Sequence, residues 1–291
     1  MSHEESAAYR RRRARLSQAF AVLCLAATAT CVLALAVLLL EIFWQGIPWL
    51  TTSFLTNYPS RFPDQAGIKP ALVSSVWLIL LTTLFSVPIG VGCAVYLEEY
   101  ARASRWRNLV QLNIANLAVV PSIVYGILGL GLFVRALALH RSILAGSLTL
   151  TLVILPIVIL AAQESLRAVP DSIRRASYAL GATRWQTVWH QVLPAAMPGI
   201  LTGVILAVSR ALGEAAPLVA IGAATYITFV PVSPMDEFSA LPMQIFDWAK
   251  RPQAEFHHVA AAGIIVLLTV LILMNATAVY LRYRYGKRVR W

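Results

Sequence analysis

The sequence predicts an all-α integral membrane protein with six membrane-spanning helices, and three observations carry that prediction. The chain of 291 residues is 59% hydrophobic and 13% charged, with a mean hydropathy of +0.71, whereas a soluble domain carries about a quarter charged residues. Apolar runs recur along it at the length of about 20 residues that crosses a hydrocarbon core of roughly 30 Å. The segments between those runs divide their Lys and Arg unequally, as the two sides of a membrane require.

Each element follows in order. The first run, 19–44, comes after the basic stretch YRRRRARL. It outlasts the roughly 7–15 apolar residues of a secretory signal, so an uncleaved first helix is expected rather than a leader cut near Ala27-Thr28-Ala29. Further spans are expected at 71–97, 109–135, 143–163, 197–222 and 258–281. A hydrophilic segment at 45–70, a charged link at 98–108 and a tight turn at 136–142 separate the first four. A long hydrophilic stretch at 164–196 and a mixed one at 223–257 follow, and a basic tail occupies 282–291.

With the N-terminus inside, the inner segments hold 17 Lys and Arg and the outer ones 6, leaving Arg210 alone within a span. The excess orients both termini to the cytoplasm. It also accounts for the net charge of +11 without nucleic acid as a partner. Cys24, Cys31 and Cys93 lie in apolar runs and form no CxxC or Cys/His spacing, so packing is expected of them, and no disulfide or metal site. Pro88, Pro121, Pro156 and Pro217 fall in or beside spans, where neighbouring helices or cavity water must satisfy the carbonyls they free.

The stretch 168–200 has a definite shape. Pro170, Asp171 and Ser172 supply a helix start; Ile173, Ala176, Ala179 and Leu180 recur at helical spacing, and Gly181 can end the helix with a positive φ. Thr183 can cap a second helix carrying Trp185, Val188, Trp189 and Val192, which Pro194 should stop. An amphipathic hairpin resting on the membrane and a docking element for a cytoplasmic partner both fit this pattern. A helix-turn-helix DNA reader does not, because no soluble domain presents it.

RASYALGATRWQTVWHQVLP resembles the EAA loop of ABC-importer permeases, which reads Glu-Ala-Ala, three residues, Gly, nine residues, an aliphatic, any residue, Leu-Pro. Ala176, Gly181, Leu193 and Pro194 are in register, with Ala182 and Thr183 at the corner, while Arg175, Ser177 and Gln191 depart from the pattern. The segments SRFPDQAGIKPAL, NIANLAVVPSIVYGILGLGLF, SRALGEAAPL and ALPMQIFDWA are similar, in this order, to those of the phosphate-importer permeases of that family. The resemblance implies a type I (MetI-like) permease bundle in a bacterial cytoplasmic membrane. It implies a second, homologous permease, two ATPase subunits, with the hairpin seated in a cleft of the ATP-hydrolysing subunit, and an extracytoplasmic phosphate-binding protein. ATP-Mg would be used by the ATPase partner, with no cofactor bound by this chain, which lacks a G-x-x-x-x-G-K-[ST] loop.

Arg210 falls near the middle of the span 197–222, with Glu214 four residues on. A lone charge at the membrane centre costs about 2.5–3.5 kcal/mol on insertion scales, and an i,i+4 partner on the same helix face offsets part of that. Gly203, Ala207, Gly213 and Pro217 are expected on that face, with Val204, Ile205, Val208 and Leu212 elsewhere. One reading is an internal ion pair that fixes helix packing. The other is a substrate pathway in which Arg210 meets an oxyanion, its planar fork donating two parallel hydrogen bonds, while Glu214 holds the guanidinium and weakens its grip. Asn113, Asn116, Ser122 and Tyr125, the pair His257 and His258, and Asp236, Glu237 and Asp247 are lesser candidates.

The resemblance implies the permease of a phosphate importer. An importer of sulfate or molybdate and a stand-alone secondary anion carrier are the alternatives. No catalytic constellation points to an enzyme.

Overall fold

The computed structural model describes residues 3–224 and 226–286. Of the basic tail expected at 282–291, Lys287, Arg288 and Arg290 lie outside the described residues. The described chain is helical and contains five helices long and apolar enough to cross a membrane, together with one sharply bent pair.

The elements are α1 (His3–Gly46), the short α2 (Thr52–Thr56), α3 (Lys69–Val95), α4 (Arg105–Leu117), α5 (Ser122–Gly129) and α6 (Ile143–Arg167). They continue with α7 (Asp171–Ala179), α8 (Arg184–Thr187), α9 (Leu193–Gly213), α10 (Ala216–Ile221), α11 (Leu241–Lys250) and α12 (Ala254–Gly286). Wide π turns prolong α3 over Tyr96–Tyr100 and α5 over Leu130–Ala136, and join α8 to α9 over Val188–Val192.

The centre of the bundle is α6, with α3 along one side and α9 along another, while α12 packs on α9 and α1 on α12. Close approach depends on small residues at the contacts. A Cβ on Gly90 of α3 would come within 2.7 Å of Val158 Cγ1 on α6, and one on Gly203 of α9 would collide with Ala161. Such small-residue contacts let backbones meet where lipid gives no hydrophobic drive for helices to associate.

Three sequence expectations change here. The span expected at 109–135 is two helices, α4 and α5, meeting at 101°. Pro121 stands at the corner; it lacks an amide hydrogen and disfavours helix in the residue before it. Across the corner the Tyr125 hydroxyl donates to the Leu117 carbonyl at 2.8 Å, satisfying one of the groups that the break frees. The segment 223–257, expected only as a mixed connection, contains a helix of its own. Its α11 buries Leu241, Met243, Gln244, Ile245 and Trp248 and is tied to α3 by the Leu241 amide donating to Ser75 Oγ at 2.9 Å.

Third, Pro194 does not stop the hairpin's second arm. It falls in the first turn of α9, just after the π turn, where the missing amide hydrogen is tolerated. Residues Arg184–Gly213 therefore form one continuous span.

Candidate functional site

The hairpin forms at one end of the bundle. Gly181 takes φ +84°, in the left-handed region open to glycine at little cost. The Thr183 hydroxyl accepts from the Gln186 amide at 3.3 Å and the Gln186 side-chain oxygen accepts from the Thr183 amide at 2.9 Å, a reciprocal cap. Pro170 precedes α7 without any side-chain cap. Asp171 instead occupies the first turn and pairs with Arg174 at 3.3 Å. Ser177 and Thr187 join the two arms through their hydroxyls.

The hairpin turns much of its apolar surface outward. Val188 and Val192 are buried, but Trp185 and Trp189 are exposed and stacked with centroids 5.4 Å apart. Leu180 at the corner is 89% exposed. The expected face of Trp185, Val188, Trp189 and Val192 is thus split in two, because the π turn adds a residue per turn and rotates the valines away from the tryptophans. Arg175, Ala176, Gly181 and Thr183 are exposed, whereas Ser177, Ala182, Leu193 and Pro194 are half-buried.

Arg210 and Glu214 lie at the far end of the same rod. The Arg210 Nε donates to Glu214 Oε1 at 3.2 Å, with the Arg210 side chain 49% exposed and Glu214 18%. Among the described residues the Arg210 Nη atoms have no hydrogen-bond partner. The pair spans the end of a helix rather than one continuous face: α9 stops at Gly213, and Glu214 is extended at φ −82°, ψ 104°. Pro217, in the first turn of α10, has no amide hydrogen for the Gly213 carbonyl, and its ring would clash there. The expected stripe is therefore divided. Ala207 is buried, Gly203 packs on Ala161, and Val208 and Leu212 join the core, while Arg210 and Gly213 face outward.

A second ionic cluster was not legible as a site in the sequence, where Glu98 and Glu99 are simply part of a charged link. Both lie on the π turn after α3 and point to different partners. Glu98 accepts from Arg167 at 2.7 Å, Gln163 at 2.9 Å and Arg107 at 3.2 Å. Glu99, buried, accepts from Arg174 Nη2 at 2.7 Å and Nε at 3.2 Å. Burial alone would lower the Arg174 pKa, but the hydrogen bonds and charge of Glu99, with Asp171 adding to them, raise it above the usual guanidinium value. The only sequence signal was two adjacent carboxylates at the end of an apolar run.

The lesser candidates do not converge. Asn113 donates to its own helix at the Leu109 carbonyl, and Tyr125 braces the bend. His257 approaches the Arg251 carbonyl at 3.2 Å, and His258 stacks on Trp49. Asp247 pairs with Arg251 at 2.8 Å. Asp236 accepts from the Val232 and Ser233 amides, both at 2.9 Å, which hold its carboxyl below the usual range. Glu237 bridges Ser142 through the backbone. Among the described residues no group of three His, Cys, Asp or Glu could hold a metal ion.

This bent helical bundle, with a capped hairpin at one end and a half-exposed ion pair at a helix break, has the fold of an importer-type permease. The chain belongs to the family described as binding-protein-dependent transport system inner membrane component, which it matches over residues 86–290.

Within that family it is a PstA-like ABC permease. It is 32% identical over 238 residues to the phosphate transport system permease protein PstA of Haemophilus influenzae, covering 82% of this chain and 83% of that one. It is 35% identical to PstA 1 of Mycobacterium tuberculosis strain H37Rv, over 83% and 77%, and 33% identical to the probable ABC transporter permease YqgI of Bacillus subtilis, over 76% and 75%. The fold is similar to that of the MetNI methionine ABC transporter in an inward-facing conformation, with TM-score 0.61 at 16% identity over 75% of this chain and 95% of that one. Membership implies a multi-pass inner-membrane protein that works with an ATPase and an extracytoplasmic binding protein.

Proposed function

We propose that this chain is the membrane-spanning permease subunit of an ATP-driven importer that carries inorganic phosphate into the bacterial cytoplasm. One observation carries the reading: the second hairpin arm and the helix that carries Arg210 are a single rod, Arg184–Gly213, so a push on the hairpin arrives at Arg210 about 39 Å away. The phosphate in the reading rests on the names of the PstA relatives.

In this reading residues 1–18 and 282–291 are basic cytoplasmic ends. Residues 19–281 are the permease domain, and 164–196 are its coupling loop. One of two ATPase subunits, which bind ATP-Mg, docks where Leu180, Trp185 and Trp189 are exposed. A homologous second permease completes the pathway, and a phosphate-binding protein delivers substrate on the outer side. This chain does no catalysis. Arg210 meets phosphate with its free Nη atoms, and Glu214 neutralises enough of the charge to let the anion leave, as conduction requires.

The test is to copurify the complex and measure ATP hydrolysis with phosphate-loaded binding protein. The expected outcome is hydrolysis stimulated by phosphate and not by sulfate or molybdate. Stimulation by sulfate or molybdate alone would assign a different oxyanion. Activity that survives deletion of 176–185 would make the chain a stand-alone carrier.

A further inference from the structure

The hairpin's first arm has little hold on the bundle. Helix α7 buries none of its residues. Among its side chains Ile173 packs against the apolar cluster around Leu166 and Val192, and Arg174 reaches across to the bundle. A polar cleft of about 380 Å³ opens between hairpin and bundle, lined in part by Glu98, Glu99 and Arg174. Side chains therefore span this gap.

Arg174 gathers three elements on one guanidinium. Its Nη2 donates to Glu99 Oε1 at 2.7 Å and to the Leu166 carbonyl at 3.0 Å, and its Nη1 donates to the Val169 carbonyl at 2.7 Å. These are the π turn after α3, the last turn of α6 and the connection from α6 to α7. The same π turn touches the second arm, where the Arg184 guanidinium lies 5.4 Å over the Tyr100 ring. Arg167 ties α6 to the neighbouring Glu98. The guanidinium fork suits this position, because its donors are fixed in one plane and resist rotation in a way a lysine ammonium does not.

We propose that Arg174 and Glu99 are positioning residues that form a strut, passing displacement of the coupling hairpin into α3 as well as into α6 and α9. The chain backbone leads from the hairpin into α6 and α9 but not into α3, so the strut gives the hairpin a direct hold on α3, which otherwise follows only through its packing along α6. This rests on the reading of the hairpin as the ATPase dock.

The experiment uses the whole complex in proteoliposomes, measuring inorganic phosphate taken up per ATP hydrolysed. Glu99→Gln keeps shape and an acceptor oxygen, so the fold is retained, and Arg174→Gln removes the charge from the other side. Both are expected to retain the ATPase subunits, while uptake per ATP falls about tenfold, within the usual span of coupling energies. The double variant is expected to be no worse than either single one, as for two ends of one link, and Arg174→Lys to recover part of the ratio.

An unchanged ratio in assembled Glu99→Gln complex overturns the strut, as does loss of the ATPase subunits from that variant. Additive losses in the double variant also overturn it. A wild-type complex that hydrolyses ATP without phosphate uptake counts against the proposed function instead.

Discussion

The hydroxyls of Ser177 and Thr187 lie 2.9 Å apart and join the two arms of the hairpin, with Thr187 fully buried. The residue before Ser177 and the corner after it follow the importer pattern, yet Ser177 itself replaces a conventional alanine. Its hydroxyl gives the arms a direct polar tie.

Removing that tie loosens the corner. Ser177→Ala deletes one hydrogen bond, a net loss of about 1 kcal/mol. Amide exchange over 180–187 is expected to quicken roughly fivefold, the equivalent factor. An unchanged exchange rate would show that the hydroxyl tie adds nothing to the corner, which the Gly181 turn and the Thr183–Gln186 cap then hold.

Gly181 tests the corner's backbone. A Cβ there meets nothing within 4 Å, so Gly181→Ala carries only the left-handed penalty of about 1–2 kcal/mol. Asn, which enters that region more readily, is expected to cost less. Protease nicking at the corner, measured on both variants, should rank Ala above Asn above the parent.

Arg210 and Glu214 make separable contributions. Arg210→Ala is expected to reduce phosphate uptake at least about tenfold, the scale of a lost charge-assisted hydrogen bond. Glu214→Gln is expected to leave binding intact but slow release, seen as retained stimulation of ATP hydrolysis with reduced uptake. Wild-type uptake by normally inserted Arg210→Ala would return the pair to a packing role.

Asp236 gives a pH dependence. Two backbone amides hold its carboxyl below the ordinary value, so the charged form is the one the fold favours. Its contribution to the turn 232–236 is full above the unfolded carboxylate pKa of about 4 and disappears as pH falls through the lowered folded value. Asp236→Asn should remove the acid-side transition in that turn's exchange, and at pH 7 its turn should exchange faster than the parent's, as the parent's does at low pH.

Much of this was legible in the chain. Five of the six expected spans, the glycine corner and the Thr183 cap depend on local pattern, and local pattern survives folding. The rod through Pro194 was not legible, because a proline in the first turn after a π turn carries none of the penalty of one in a helix interior. The face around Arg210 was misjudged for a related reason: an ideal helix was extended across Gly213, where Pro217 ends the ladder. The Glu99–Arg174 contact joins residues 75 apart, and no periodicity encodes such a meeting.

The π turn Tyr96–Tyr100 acts as a phase shifter. One surplus residue in a helical turn advances everything beyond it by about 100°, the angle of one step in a 3.6-residue helix. Adjacent glutamates already diverge by about one such step, and the surplus residue sets where the pair is aimed, Glu98 to the ends of α4 and α6 and Glu99 to the hairpin. Deleting one residue from that turn would leave composition and charge almost untouched, yet it would return both carboxylates to the wrong azimuth. The indexing of the inner helix ends against one another is set by a residue count.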